Sequence, residues 1–329
     1  MKKLMNSADT ILAESLSGLA SAHSDILTLD GSGKFVRRAT LKPGKVALVS
    51  GGGSGHEPLH AGLVGHGMLD AACPGQVFTA PTPDQMLEAC AAVDTGAGCL
   101  FIVKNYDGDV MNFEMAAEMA EGVTARIITN DDIAVKDSLY TTGRRGVAGT
   151  LVVEKIVGAA AEAGMDLPTL VALGERVNAG TRSMGVALTS CTVPAAGKPT
   201  FDIGPDEMEF GVGIHGEPGR RREKLRPANA IAEEICAGVI DDLGALARKP
   251  MLLFVNGFGA TPAMELYVMY DAARRILEAR GLTVVRSLVG DYVTSLDMAG
   301  CSITLAALDE EALGLWDAPV HTAAMRWGM

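Results

Sequence analysis

Aromatic residues are scarce in this 329-residue chain: only 5% of the total, with two tryptophans. A core without aromatic bulk must be built from Ala, Val, Leu, Ile and Met, and 48% of the residues are hydrophobic, as a globular α/β protein requires. Basic charge is also short, with 28 Lys and Arg against 40 Asp and Glu and a net charge of −12. That balance excludes nucleic acid as the partner, because phosphate backbones select basic faces. The six cysteines (73, 90, 99, 191, 236 and 301) contain no CxxC pair, which excludes zinc-ribbon and redox-motif spacing and fits reduced thiols in a cytoplasmic protein. No apolar run is long enough to span a membrane. The N-terminus, MKKLMNSADTILAESL, places Asn, Asp and Glu where a signal peptide needs an apolar stretch, and reads as an amphipathic helix. Nucleotide chemistry is missing too: there is no Walker A motif, no kinase-type glycine loop and no carboxylate cluster for Mg²⁺, and the 51–55 glycine run lacks the GxGxxG spacing of a dinucleotide fold. Solenoid repeats and low-complexity segments are absent.

What is present is alternation. VALVS (46–50), CLFIV (99–103), ARIIT (125–129), LLFVN (252–256) and LTVVR (282–286) read as buried strands. Helix-patterned stretches lie at 83–94, 111–122, 150–164, 228–247 and 263–279. The expected fold is α/β, in two domains because of the length, with mixed, mostly parallel sheets. The boundary falls at 180–185, where Gly, Asn, Thr and Ser interrupt a helix-rich region, giving domains 1–182 and 183–309.

Residues 50–66, SGGGSGHEPLHAGLVGH, contain HEPLH, a match to the H-E-x-x-H zinc-protease pattern, with His66 at the third-ligand spacing. That chemistry needs two histidines on one face of a formed helix. Here GGGSG disfavours helix before the first histidine, and Pro58 between the two suits only a first helical turn. The extended pattern also requires glycine at 63, which is leucine. A strand, a glycine turn and a helix starting near Pro58 are expected, with His60 and His66 as polar positions on it and no metal site. His56 closes the glycine loop at a strand's C-terminal end, where open α/β sheets place ligands.

KNYDGD (104–109) puts Lys104 and Asp109 in a second such loop, as site residues or as a solvated turn. GVGIHGEPG (211–219) carries His215 with little crowding, open to a ligand, and a neutral oriented imidazole is a competent nucleophile. The connection at 130–150, with Arg144 and Arg145, reads as a solvated loop or a docking surface. GRRREKLR (219–226) reads as a solvated basic run or as a lure for an acidic partner or phosphorylated group. GHEP at 55–58 and HGEPG at 215–219 echo each other, too briefly for a duplication.

Long ordered motifs run from end to end: SGGGSGHEP, ACPGQVFTAPTPDQ, KNYDGDVMNFE, IAVKDSLYTTGRRGVAGT, EMEFGVGIHGEPG, NGFGATPAMELY, TSLDMAGCSITL and LWDAPVHTAAMRWG. Together they resemble the substrate-binding subunit of dihydroxyacetone kinases. The resemblance implies two α/β domains, a tail (310–329) returning to the first domain, and a homodimer. It implies that His215 adds to the ketone carbon as a hemiaminal, that Asp109 is the acid/base at the hydroxyl, and that His56 hydrogen-bonds the substrate and assists that proton transfer. Gly53, Ser54 and Lys104 match positions lining the site. No cofactor is implied in this chain. ADP or ATP with Mg²⁺ belongs to a separate nucleotide-carrying partner subunit, recharged by a phosphocarrier of the phosphoenolpyruvate phosphotransferase system or exchanging ATP freely. The segment after GIHGEPG is shorter than in some relatives, so the ketose is dihydroxyacetone or a four-carbon ketose such as erythrulose. A ketone-sensing module without catalysis is the competing class.

Overall fold

The computed structural model describes residues 2–135, 141–217 and 219–329. The KDSLY portion of the 130–150 connection and Pro218 of GIHGEPG lie outside the described residues. After helix α1 (Ile11–Ala22), the first six-stranded sheet uses β1 (Leu27–Leu29), β2 (Val36–Arg38), β3 (Ala47–Ser54), β5 (Ala71–Val77), β6 (Cys99–Lys104) and β7 (Thr124–Thr129), in the order β1-β2-β5-β3-β6-β7. β5, β3, β6 and β7 are parallel neighbours, and β1 and β2 form an antiparallel edge. Alternation along the central strands sorts side chains to two faces. Leu48, Leu100 and Ile102 join the core beneath α4 (Gly149–Glu162) and α5 (Leu167–Ala179). Val49, Phe101 and Val103 face α2 (Pro83–Val93) and α3 (Asp107–Met119). The same parity points Ser50 and Lys104 toward α4. α4 is the most enclosed helix described, buried from Gly149 to Ala161, and its Glu154 is fully buried.

The second sheet, ordered β10-β9-β8-β13-β11-β12, uses β8 (Thr181–Ala187), β9 (Glu207–Phe210), β10 (Arg221–Lys224), β11 (Met251–Gly257), β12 (Val284–Gly290) and β13 (Gly300–Ala307). Only β11 and β12 pair in parallel; the other pairings are antiparallel, so this half departs from the mostly parallel expectation. The reason is that β8, β9, β10 and β13 carry glycine, charge and threonine rather than unbroken apolar runs, and only the strands flanking a crossover helix were conspicuous. Helices α6 (Ala228–Leu243) and α7 (Ala263–Ala279) cover one face, and Leu252, Phe254 and Ala306 on the other join the core shared with the first sheet.

α7 coincides with its expected span, and α2 and α4 fall within one or two residues of theirs. α3 begins four residues early, so Asp107 and Asp109 occupy its first turn, where carboxylates complement the helix dipole. No helix forms near Pro58. The chain turns and closes with a single 3₁₀ turn, Ala61–Leu63, before β4 (Gly65–His66). Every residue from Leu59 to Gly65 is buried there, which leaves no exposed face for a one-sided helix. After α8 (Glu310–Asp317), β14 (Val320–Thr322) pairs with β15 (Arg326–Trp327) and with β4, setting His321 opposite His66. Among the described residues no helix is long and apolar enough to cross a membrane.

Candidate functional site

β3 delivers the glycine run as extended strand rather than as a loop. A side chain at Gly52 would place its Cβ 2.2 Å from the Lys104 Nζ, and one at Gly53 would come within 2.6 Å of the Thr79 backbone nitrogen. Glycine here allows β6 and the 78–79 turn to close on β3. His56 follows, buried, with its Nδ1 2.8 Å from the Thr294 carbonyl oxygen. A carbonyl only accepts, so Nδ1 carries the proton and Nε2 is left as a lone pair. That Nε2 is buried and has no partner. Burial, with repulsion from His215 and Lys104, holds the imidazole well below its usual pKa and therefore neutral.

His215 comes from the loop between β9 and β10. Its ring meets those of His56, Tyr106 and Phe78 edge-on at centroid distances of 4.6, 4.5 and 5.2 Å. Glu217 turns back to accept both the His215 backbone N–H (3.0 Å) and the ring Nδ1–H (3.1 Å). Burial alone would raise this carboxyl, but the His215 ring and the Arg145 guanidinium outweigh it and hold its pKa at about 2. A carboxylate on Nδ1 leaves Nε2 of the neutral ring as the nucleophilic nitrogen. Arg145 is itself buried, donating to Asp132 (2.8 Å) and to the Gly211 carbonyl (2.9 Å).

Asp109 is also buried, 3.7 Å from the Lys104 ammonium. Burial raises its pKa, against the pull of Lys104 and His215, which is the direction a proton acceptor needs. Asp109, His215, Tyr106, Phe78, Gly53 and Thr200 line one cleft of about 670 Å³. It holds the His215 imidazole and the Asp109 carboxylate, with the His56 ring against that of His215.

The Dak1 domain model matches residues 17–324. This chain belongs to the Dak1 domain family. Over 98% of its length it is 51% identical to all of a protein of Listeria innocua named the dihydroxyacetone-binding subunit DhaK of a PTS-dependent dihydroxyacetone kinase. It is 48% identical, over the whole of both chains, to the dihydroxyacetone-binding subunit DhaK of the PEP-dependent kinase of Escherichia coli. Among solved structures, a dihydroxyacetone kinase operon co-activator, DhaQ, superposes with a TM-score of 0.90 at 35% identity, covering 96% of this chain and 98% of that one.

The cleft gathers His215, Asp109 and Gly53, with His56 packed behind its lining against the rings of Phe78 and His215. Ser54 points elsewhere: its hydroxyl donates to the Gly75 carbonyl (2.7 Å), and it lines a second cavity of about 480 Å³ across β3, beneath α1. Lys104 is fully buried behind Asp109 rather than at the cleft surface. His60 is no surface position; its two ring nitrogens bond to Lys104 and to Ser50 and Glu154. The ammonium occupies the place a metal would need, and His66 lies apart in β4. Arg144 and Arg145 are not a solvated or docking surface, since Arg144 forms a forked pair with Asp242 (2.8 and 2.6 Å). The 219–226 arginines are neutralised internally: Arg221 and Arg226 pair with Glu223 and Glu234, Arg222 with Glu209, and Arg220 donates to the carbonyls of Ile133 and Ala134. Glu217, Phe78, Tyr106 and Thr200 escaped sequence reasoning. Only Glu217 had a signal, its place two residues after His215.

Proposed function

We propose that this chain is the dihydroxyacetone-binding subunit of a glycerone kinase, a phosphotransferase completed by a separate nucleotide-carrying subunit. The observation that carries the reading is His215 with its Nδ1–H on the Glu217 carboxylate, presenting Nε2 in the cleft that also holds Asp109. The Nε2 lone pair attacks the C2 carbonyl carbon of the ketose, forming the N–C bond as the C=O π electrons move to oxygen. The Nδ1 proton passes by way of the Glu217 carboxylate and solvent to that oxygen, so the adduct is a neutral hemiaminal and Glu217 is again a carboxylate. A polyol without a carbonyl cannot react, so glycerol is rejected by chemistry rather than by fit. The adduct fixes a terminal hydroxyl, converting an encounter into a positioned reaction. Asp109 accepts the hydroxyl proton as oxygen attacks the donor phosphorus, and the bare Nε2 of His56 accepts a hydrogen bond from the substrate and assists that transfer. Gly53 lets the ketose approach the backbone. Ser54 shapes the turn.

The phosphoryl donor, ADP or ATP with Mg²⁺, belongs on the partner subunit. Met111, Met115 and Met119 are exposed along α3, beginning two residues past Asp109, and supply an apolar face for that subunit beside the cleft. Six buried free thiols suit a cytoplasmic setting, and we read the assembly as a homodimer of units spanning 1–182 and 183–309, with the tail on the first. The test is the ¹³C NMR spectrum of the chain with [2-¹³C]dihydroxyacetone. The C2 resonance should move from the carbonyl to the tetrahedral region, and not in His215→Ala. A carbonyl resonance left unchanged by the wild-type chain would overturn the reading. Four-carbon erythrulose, run in competition, ranks the two ketoses.

A further inference from the structure

The second histidine of HEPLH and the one acidic residue buried within α4 play no part in the reaction described above. His60 Nε2 lies 2.9 Å from Lys104 Nζ, its Nδ1 lies 2.5 Å from Glu154 Oε1, and the Ser50 Oγ is 3.0 Å from the same nitrogen. Lys104 can only donate, so Nε2 accepts and the ring proton sits on Nδ1, donated to Glu154 and shared with Ser50. Ser50 spends its own proton on the Ile102 carbonyl, 2.7 Å away. The direction of every bond is therefore settled: Lys104 to His60, and His60 to Glu154. All of these side chains are buried, and the chain of bonds ends at Asp109, 3.7 Å from the same ammonium.

These distances order Lys104's attachments. It makes a hydrogen bond to His60, a longer one to the Gly51 carbonyl (3.3 Å), and only a looser ionic approach to Asp109. A buried ammonium without His60 would close on the nearest carboxylate, and a tight ion pair there weakens Asp109 as a base. We propose that His60 and Glu154 are positioning residues that hold Lys104 back from Asp109, so that the carboxylate stays basic enough to take the hydroxyl proton. Glu154 acts one step removed, fixing the His60 tautomer that keeps a lone pair on Nε2. Burial, opposed by Lys104, moves the Glu154 pKa up to about 8, and the neutral acid still accepts through Oε1. A glutamine can take over that role, whereas a leucine cannot. The charged or titratable groups acting on Asp109 are Lys104 and His215, and Lys104 is in turn faced by His60, His56 and Glu154.

The inference rests on the reading of the chain as a ketose kinase subunit, and one experiment separates the two. Full-length His60→Leu, Glu154→Leu and Glu154→Gln are assayed for the tetrahedral ¹³C signal and for turnover with the nucleotide-carrying subunit. Expected for His60→Leu are a kcat lower by about tenfold, a KM for the ketone within about twofold of wild type, and an undiminished tetrahedral signal. The acid limb of its kcat–pH profile should move to lower pH, because a more tightly paired Asp109 protonates later. Glu154→Leu should shift both in the same direction by less, and Glu154→Gln should recover most of the loss. An unchanged kcat and acid limb in His60→Leu, a tetrahedral signal lost together with kcat, or Glu154→Gln as impaired as Glu154→Leu would each overturn the proposal. Absence of the signal in the wild-type chain would instead strike the ketose-kinase reading.

Discussion

Two turns in this molecule carry nearly the same text, GHEP at 55–58 and HGEP at 215–218, and use it differently. In both, the glutamate reaches back two residues to accept a backbone N–H: Glu57 from Gly55 (3.0 and 3.1 Å) and Glu217 from His215 (3.0 Å). The histidine sits one residue before Glu57 but two before Glu217. Only the second spacing lets the carboxylate also meet the imidazole Nδ1. His56 instead gives its Nδ1–H to the neutral Thr294 carbonyl. A carboxylate stabilises positive charge on the ring as Nε2 forms a bond, and a carbonyl does so far less. One residue of spacing thus separates an imidazole held on a carboxylate from one held on a carbonyl.

Breaking the comparison at its centre has the largest expected effect. His215→Ala removes the tetrahedral ¹³C signal outright, and phosphorylated product with it. Next, Asp109→Asn should leave that signal intact while kcat falls by roughly 10²–10⁴, measured with the nucleotide-carrying subunit, because covalent capture and proton acceptance use different residues. Glu217→Gln should slow hemiaminal formation by about 10²-fold in stopped-flow or NMR build-up experiments, since the amide keeps the hydrogen bond but not the charge. Glu57→Gln, the same change in the other turn, should leave the build-up rate within about twofold.

The smallest effect is on stability against pH. The folded Glu217 carboxyl lies at about 2, below its ordinary 4.5. It therefore stabilises the fold above pH 4.5 and loses that contribution as pH falls toward 2. Urea midpoints should accordingly fall less steeply below pH 4.5 in Glu217→Gln than in wild type.

How much was legible beforehand follows from what each residue's neighbours are. His56 and His215 stand out as candidates because glycine context is local, whereas Asp109 reads equally well as part of a solvated turn. Lys104 was readable as unusual, a charge after an apolar strand, but its address behind Asp109 was not. Glu154 looked like any polar residue of a helix, because nothing within its own turn reveals that both sheet and tail bury α4. His60 reads as a polar position on a short helix, for its partners Lys104 and Glu154 lie 44 and 94 residues away along the chain. Arg145 was misread for the same reason, its partners being Asp132 and the Gly211 carbonyl. The antiparallel second sheet escaped because β8, β9, β10 and β13 lack the apolar runs that mark buried parallel strands.

Residue type and pattern alone mark the chain as an α/β protein with no Walker A motif and with two glycine-rich stretches, 51–55 and 211–219, each accompanied by one imidazole. Those features depend on residue type and short-range geometry. Only the tertiary structure decided which nitrogen of each histidine is free, because that depends on whether the far partner is the Thr294 carbonyl, the Glu217 carboxylate or the Lys104 ammonium. Hydrogen-bond direction is set by the partner's chemistry, and the partner is chosen by packing.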